Sequence, residues 1–292
     1  MSLLPVVVGL AAAALWGSSD YLGGLAARSM GEYAANAYVF LFGATTILIA
    51  VLLTGTGTTA NVTEMLLGAV LSVPIFLGAL FTYKAFRIGE FAVNAPIVDA
   101  YPIVIVLGFV FILGHSLSNL EMVGVAMTVL GVILIATRFS RLKLRKKFLA
   151  AGVGSAAASM ILVGAIPSIF AAVYASIIGF LLLSLMWRGL PALIAFVAGY
   201  ATGQNLHVPS RNVLSLVVVA GIMDGLALSV YLYGIFANSL ALPVIATLSG
   251  LTGAVTVAYG LVLSRERPEA NQWIGIALAI TGTAILSYLS SL

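Results

Sequence analysis

Three carboxylates and one guanidinium stand inside otherwise apolar runs of this sequence: Asp20, Asp99, Asp224 and Arg188. A charge in hydrocarbon costs from roughly 2.5 kcal/mol upward, so each is a functional candidate wherever those runs cross a membrane. Trp16 lies one helical turn before Asp20 and shares its face. An acid beside an aromatic surface suits a cation or amine. The alternative is a helix-end cap, because the surrounding GSSDYLGG is rich in helix-weakening residues. Asp99 falls between Pro96 and Pro102, each lacking a backbone donor, so a kinked or locally unwound helix is expected there. Broken helices expose backbone polar groups to solutes; a structural Asp99 would instead be satisfied by a neighbouring helix. Tyr101 is expected to point away from Asp99 and to share a face with Asn94, seven residues back. Asp224 is the deepest of the acids, with Tyr231 on its face and Tyr233 opposite. Substrate binding or proton coupling is expected of it, since buried carboxylates serve as proton carriers. Arg188 would clamp a carboxylate or phosphate bidentately, or pair structurally. His115 and His207 are loop residues, expected to be solvated, and Asn61–Thr63 forms a glycosylation sequon.

The elements that must position these groups follow from composition. Of 292 residues, 62% are apolar and 8% charged, with a mean hydropathy of +1.18. A soluble domain carries about 25% charged residues, so a soluble enzyme, a disordered regulator and a nucleic-acid module are excluded. With no Cys, there are no disulfides and no thiolate chemistry. A bilayer core of about 30 Å needs roughly 20 apolar residues per helix. The apolar runs cover 4–24, 33–53, 64–86, 90–113 and 119–137, then 149–171, 176–199, 212–235, 240–263 and 271–290. Ten transmembrane helices in an all-α polytopic membrane protein are therefore expected. The break at 172–175 is inferred from length alone: residues 149–199 would make one helix of about 77 Å, too long for a single pass.

Of thirteen Lys and Arg residues, twelve fall on one set of alternate loops and Arg188 lies within a span. Lys84 and Arg87 end the third helix and are expected to snorkel to that interface. The positive-inside rule makes this face cytoplasmic and both termini external, in a cell (inner) membrane. The basic run at 138–147 is expected to sit against anionic lipid.

The two halves echo each other. Aligning LGHSLSNLEMVGVAMTVLGVIL with LSRERPEANQWIGIALAITGTAIL sets Gly124 on Gly275 and Gly131 on Gly282, at one offset of 151. Upstream, Pro96 and Pro243 match at an offset of 147. Glycines seven apart occupy one helix face and permit close helix approach. Residues 1–137 therefore read as a first five-helix repeat, 138–148 as a basic linker and 149–292 as a second repeat, inverted because five is odd. Inverted repeats build alternating-access transporters around a central cavity, with broken helices such as those at Pro96, Pro102 and Pro243.

The WGSSDYLGGLA segment, the Pro-bearing fourth helices and the glycine-paired fifth helices resemble the drug/metabolite transporter superfamily, specifically its EamA-like ten-helix members. The resemblance covers nearly the whole chain. It implies proton- or gradient-linked movement of small metabolites through a cavity lined mainly by the first, third and fourth helices of each repeat. It also implies a peripheral second helix, where Trp187 and Arg188 would act as an anchor. His115 stands where the family's acidic residue precedes the fifth helix, whereas Glu266 keeps that acid in the second repeat. Bacterial members more commonly have cytoplasmic termini, the reverse of what the basic residues predict.

No metalloprotease HExxH, no rhomboid-type Ser motif, no intramembrane aspartyl-protease signature and no phosphate loop is present. No catalytic residue, metal or cofactor is expected. The expected partners are a small solute, protons and membrane lipids, with no nucleic acid and a monomer as the working unit. Three acids against one Arg favour an amino acid or organic cation. An organic-anion or sugar-phosphate carrier using Arg188, and a passive channel or lipid scramblase, are the alternatives.

Overall fold

Helix is what an apolar chain must form in hydrocarbon, because each backbone N–H and C=O then finds its partner within the same segment. The computed structural model describes residues 4–101, 103–104, 118–142, 149–237, 245 and 248–289. Among them every extended element is helical, and pairing outside helices is confined to one isolated bridge between Thr137 and Leu149. The first half holds α1 (Leu4–Met30), α2 (Glu32–Thr54), α3 (Val62–Val70), α4 (Ser72–Ile88), α5 (Phe91–Val98), α6 (Asn119–Ala136) and the short α7 (Phe139–Leu142). The second half holds α8 (Val153–Ser159), a π-helical segment (Met160–Ala165), α9 (Ile166–Ile178), α10 (Phe180–Ala201), α11 (Arg211–Ala237), α12 (Thr252–Val262) and α13 (Ala270–Leu289). Five described stretches are long and apolar enough to cross a membrane: Leu4–Met30, Glu32–Thr54, Val62–Ile88, Phe180–Ala201 and Arg211–Ala237.

Several boundaries differ from the sequence expectation. α1 does not stop at Gly24 but runs to Met30. The break expected at 172–175 lies at Gly179, whose φ of +91° suits a residue without Cβ. Gly31, with φ of +84°, makes the same one-residue turn between α1 and α2. The apolar run masks the second turn because a lone glycine carries no polar signal.

α1 and α11 run antiparallel. The Ser19 hydroxyl donates to the Ala220 carbonyl at 2.9 Å, while Val8 packs on Gly234. The C-terminal end of α1, with Arg28, therefore lies beside the N-terminal end of α11, with Arg211. The same end gathers the ion pairs Arg28–Glu266 (3.4 Å), Arg87–Glu32 (2.7 Å) and Arg138–Glu90 (2.5 Å). Acidic partners thus occupy Arg87 and Arg138, which the sequence places at the lipid interface. Lys143, Arg145, Lys146, Lys147 and His115 lie outside the described residues. Near this end, Ser140 donates to Glu269 at 2.6 Å, and that hydroxyl is the main cause holding the exposed carboxyl below its ordinary value of 4.5.

α6 and α13 pack face to face through their glycines. A Cβ on Gly131 would stand 2.8 Å from the Gly275 carbonyl, and one on Gly282 would meet the Gly124 carbonyl at 2.8 Å. The four glycines paired by sequence therefore form one helix–helix contact, as their spacing predicts.

Candidate functional site

α1 brings Trp16 and Asp20 to the middle of the bundle. Since the helix continues ten residues past Asp20, the cap reading fails. Ser18 and Ser19, the neighbouring hydroxyls, are absorbed by helix and packing contacts: Ser18 bonds to the Ala14 carbonyl at 2.7 Å and Ser19 to Ala220. The carboxylate is what remains of that polar stretch for the interior. It joins Asp99, Tyr101, Asp224, Tyr231 and Trp16 around a cavity of about 160 Å³. Six of the seven side chains singled out for binding thus meet in one space, and the Trp16 and Tyr231 rings touch with centroids 5.3 Å apart.

Asn94 is the exception. Its amide donates to the Glu90 carbonyl at 2.9 Å and the Ala151 carbonyl at 3.1 Å, which ties the start of α5 to the chain before α8. It is buried among backbone and does not line the cavity. The expectation that it shares a face with Tyr101 assumed a helix continuous through both. Instead α5 ends at Val98, and residues 99–101 form a turn. The turn also overturns the expectation that Tyr101 points away from Asp99: both line the cavity. Pro96 lies inside α5, two residues before its end. Pro102 and Pro243 lie outside the described residues.

Asp224, for which the sequence predicts substrate binding or proton coupling, has a partner that its own helix does not reveal. The structure gives it Arg188. Nη2 donates to Oδ1 at 2.9 Å and Nε donates to Oδ2, a bidentate pair. Arg188 Nη1 also donates to the Trp187 carbonyl at 3.0 Å, and the guanidinium lies 4.8 Å over the Phe40 ring. Both charged side chains are less than a tenth exposed. The anchor reading fails too: Arg188 faces the interior, and the Trp187 indole donates to the Gly68 carbonyl at 3.1 Å. Sequence spacing could not reveal the pair, because its members sit on different helices, 36 residues apart.

Two cavity residues escaped the sequence reading. Tyr83, buried on α4, contributes a further aromatic face, and Phe40 packs on the guanidinium. Tyr83 adjoins Lys84 and reads as part of a basic helix end, so nothing in its local pattern marks it. His207 is exposed in its loop. Among the described residues, no group of three His, Asp or Glu side chains could hold a metal ion.

Glu266, the acid expected before the fifth helix of the second half, has a structural task. Its carboxylate accepts the backbone N–H groups of Phe91 and Ala92 at 2.9 and 2.8 Å. It thereby neutralises the positive end of α5 and is itself held by Arg28.

A search of curated proteins finds no match to this chain. One solved structure, described only as a protein crystal structure, is similar over 99% of this chain and 99% of its own, with 18% identity and a TM-score of 0.67. At that identity the likeness concerns the fold alone. The sequence model of the EamA-like transporter family matches residues 3–137. Residues 3–137 are thus similar to the EamA-like transporter family, part of the drug/metabolite transporter superfamily, and five described stretches of the chain are long and apolar enough to cross a membrane.

Proposed function

We propose that the protein is a secondary carrier moving a small cationic or zwitterionic solute, an amino acid or an amine, by alternating access. One observation carries the choice of solute. Arg188 and Asp224 neutralise each other, so the cavity keeps two further carboxylates, Asp20 and Asp99, neither of which forms an ion pair among the described residues. Asp20 has no hydrogen bond or ion pair among the described residues, and Trp16 and Tyr231 make an aromatic wall on the same cavity. An ammonium group gains both the charge and the ring faces there. An anion would meet net negative charge and a guanidinium whose paired face is already taken.

A ten-helix inverted repeat is the architecture we propose for this carrier. Gly31 and Gly179 make equivalent turns 148 residues apart. Phe40 and Arg188 each follow their glycine by nine residues and touch each other, as equivalent residues near a two-fold axis would. The glycine contact between α6 and α13 fits the same axis. Rocking of the two halves about the cavity would expose it to alternate sides. The termini are proposed to face outward from a cell (inner) membrane, with the arginine-rich end cytoplasmic, and one chain suffices for the cavity.

The test is flux in proteoliposomes, offering labelled alanine, phenylalanine and tetraethylammonium beside citrate and glucose 6-phosphate. Saturable counterflow of an amino acid or the amine is expected, since only a carrier exchanges label against an unlabelled pool. Movement of the anions alone would transfer the site to Arg188. Non-saturable leakage, or lipid flipping, would replace the carrier with a channel or scramblase.

A further inference from the structure

Asp99 is placed unlike the other carboxylates of the cavity. It caps the C-terminal end of α5, the negative end of the helix dipole, where an anionic side chain is unfavourable. Its backbone N–H closes the last turn on the Ala95 carbonyl at 3.0 Å. Its Oδ2 is buried and has no hydrogen-bond partner among the described residues. Opposite stands Gly253, where a Cβ would approach that oxygen to 2.8 Å. The space beside Oδ2 is therefore small: it admits a hydrogen but not a further carbon.

The titratable and charged groups facing Asp99 across the cavity are Asp20 on α1, Tyr83 on α4, Arg188 on α10 and Asp224 with Tyr231 on α11. Tyr101 belongs to its own turn, and the lining residues of α12 and the π segment contribute none. The one cation in that set is engaged by Asp224. A buried, unpartnered carboxylate oxygen at a helix C-terminus, with no free positive charge facing it, lacks a counter-charge unless it takes one from outside.

We propose that Asp99 is the proton-carrying carboxylate of the transport cycle, separate from a solute subsite at Asp20, Trp16 and Tyr231. This rests on the carrier reading above. The proton adds to Oδ2 when the cavity faces the acidic side and leaves when it faces the other. The solute ammonium neutralises Asp20, so each acid has its own positive partner. Glu266 fixes the other end of the same short helix, eight residues before the acid, and so sets where the carboxyl sits.

The experiment uses the full chain in proteoliposomes with the alanine, phenylalanine and tetraethylammonium probes, measured in two ways. Counterflow at equal pH on both sides reports binding and exchange; accumulation under an imposed pH gradient reports coupling. For Asp99→Asn, accumulation is expected to fall at least tenfold, to the equilibrium level, while counterflow falls less than about threefold. Asp20→Asn is expected to lose both. Gly253→Ala keeps the carboxylate but crowds Oδ2, and is expected to weaken accumulation more than counterflow. It carries the test if Asp99→Asn is not recovered as a monodisperse protein. Full accumulation by Asp99→Asn, loss of counterflow as deep as in Asp20→Asn, or accumulation driven by a sodium gradient in place of the pH gradient would each overturn the assignment. If the wild type shows no counterflow of any probe, the carrier reading has failed and this assignment goes with it.

Discussion

The first half of the chain places Asp20 and Asp99 on the cavity with no ion pair to either among the described residues, whereas the second half places Arg188 and Asp224 in bidentate contact. All four groups looked alike in sequence, as charges inside apolar runs. In the structure one half offers charge that a solute or a proton can still answer, and the other has already answered its own. Charge inside the apolar helices therefore divides into an ion pair and two carboxylates outside it, and only the partners separate the two. The pair is not a simple source of stability, because burying two ions costs solvation that their attraction offsets only when the geometry is good.

The largest test of this division is to break the pair. Asp224→Ala leaves Arg188 buried without its counter-charge and is expected to destabilise the protein by about 3–5 kcal/mol. The double variant Arg188→Leu with Asp224→Leu should recover most of that loss in detergent unfolding. Equal loss in both variants would mean that the unpaired guanidinium is not what costs the stability. Next comes Asp20→Asn, which removes no partner and should leave the unfolding midpoint nearly unchanged. It is expected to weaken solute binding about tenfold or more, roughly 1.4 kcal/mol, read as the half-saturating concentration in counterflow.

A smaller effect is expected where the halves cross. Glu266→Gln weakens the cap that the second half places on α5, at a cost of about 1 kcal/mol, measured by unfolding. An effect as large as that of Asp224→Ala would make the cap, not the pair, the main electrostatic anchor. The smallest effect belongs to Ser140→Ala. Glu269 is held below its ordinary value of 4.5 chiefly by the Ser140 hydroxyl. A lowered folded value means that the contact stabilises fully above the ordinary value and is lost as pH falls through the folded one. The melting difference between Ser140→Ala and the wild type should be about a degree at pH 7, small because the carboxylate is exposed. It should shrink as pH falls below 4.5 and the carboxyl takes up its proton, and a difference that grew on acidification would reverse the sign of the contact.

Much of the site was legible because helical spacing in an apolar chain is a strong constraint. Trp16 with Asp20, and Asp224 with Tyr231, are four and seven residues apart and fall on one helix face each. Both pairs reached the same cavity. The inference failed at Asn94 and Tyr101, where the helix between them ends and the periodicity stops applying.

Composition by itself determined that this chain is helical and embedded in a membrane, because 62% apolar residues leave the backbone no partner but itself. Glycine spacing determined that α6 and α13 each carry a face open to close helix approach, and the structure shows that the two faces meet. The tertiary structure alone decided that Arg188 belongs to Asp224, that Glu266 belongs to α5 and that Asp99 Oδ2 has no hydrogen-bond partner among the described residues. Those assignments join or separate residues far apart in the chain. Periodicity tells which way a side chain faces along its own helix and is silent about which helix faces back.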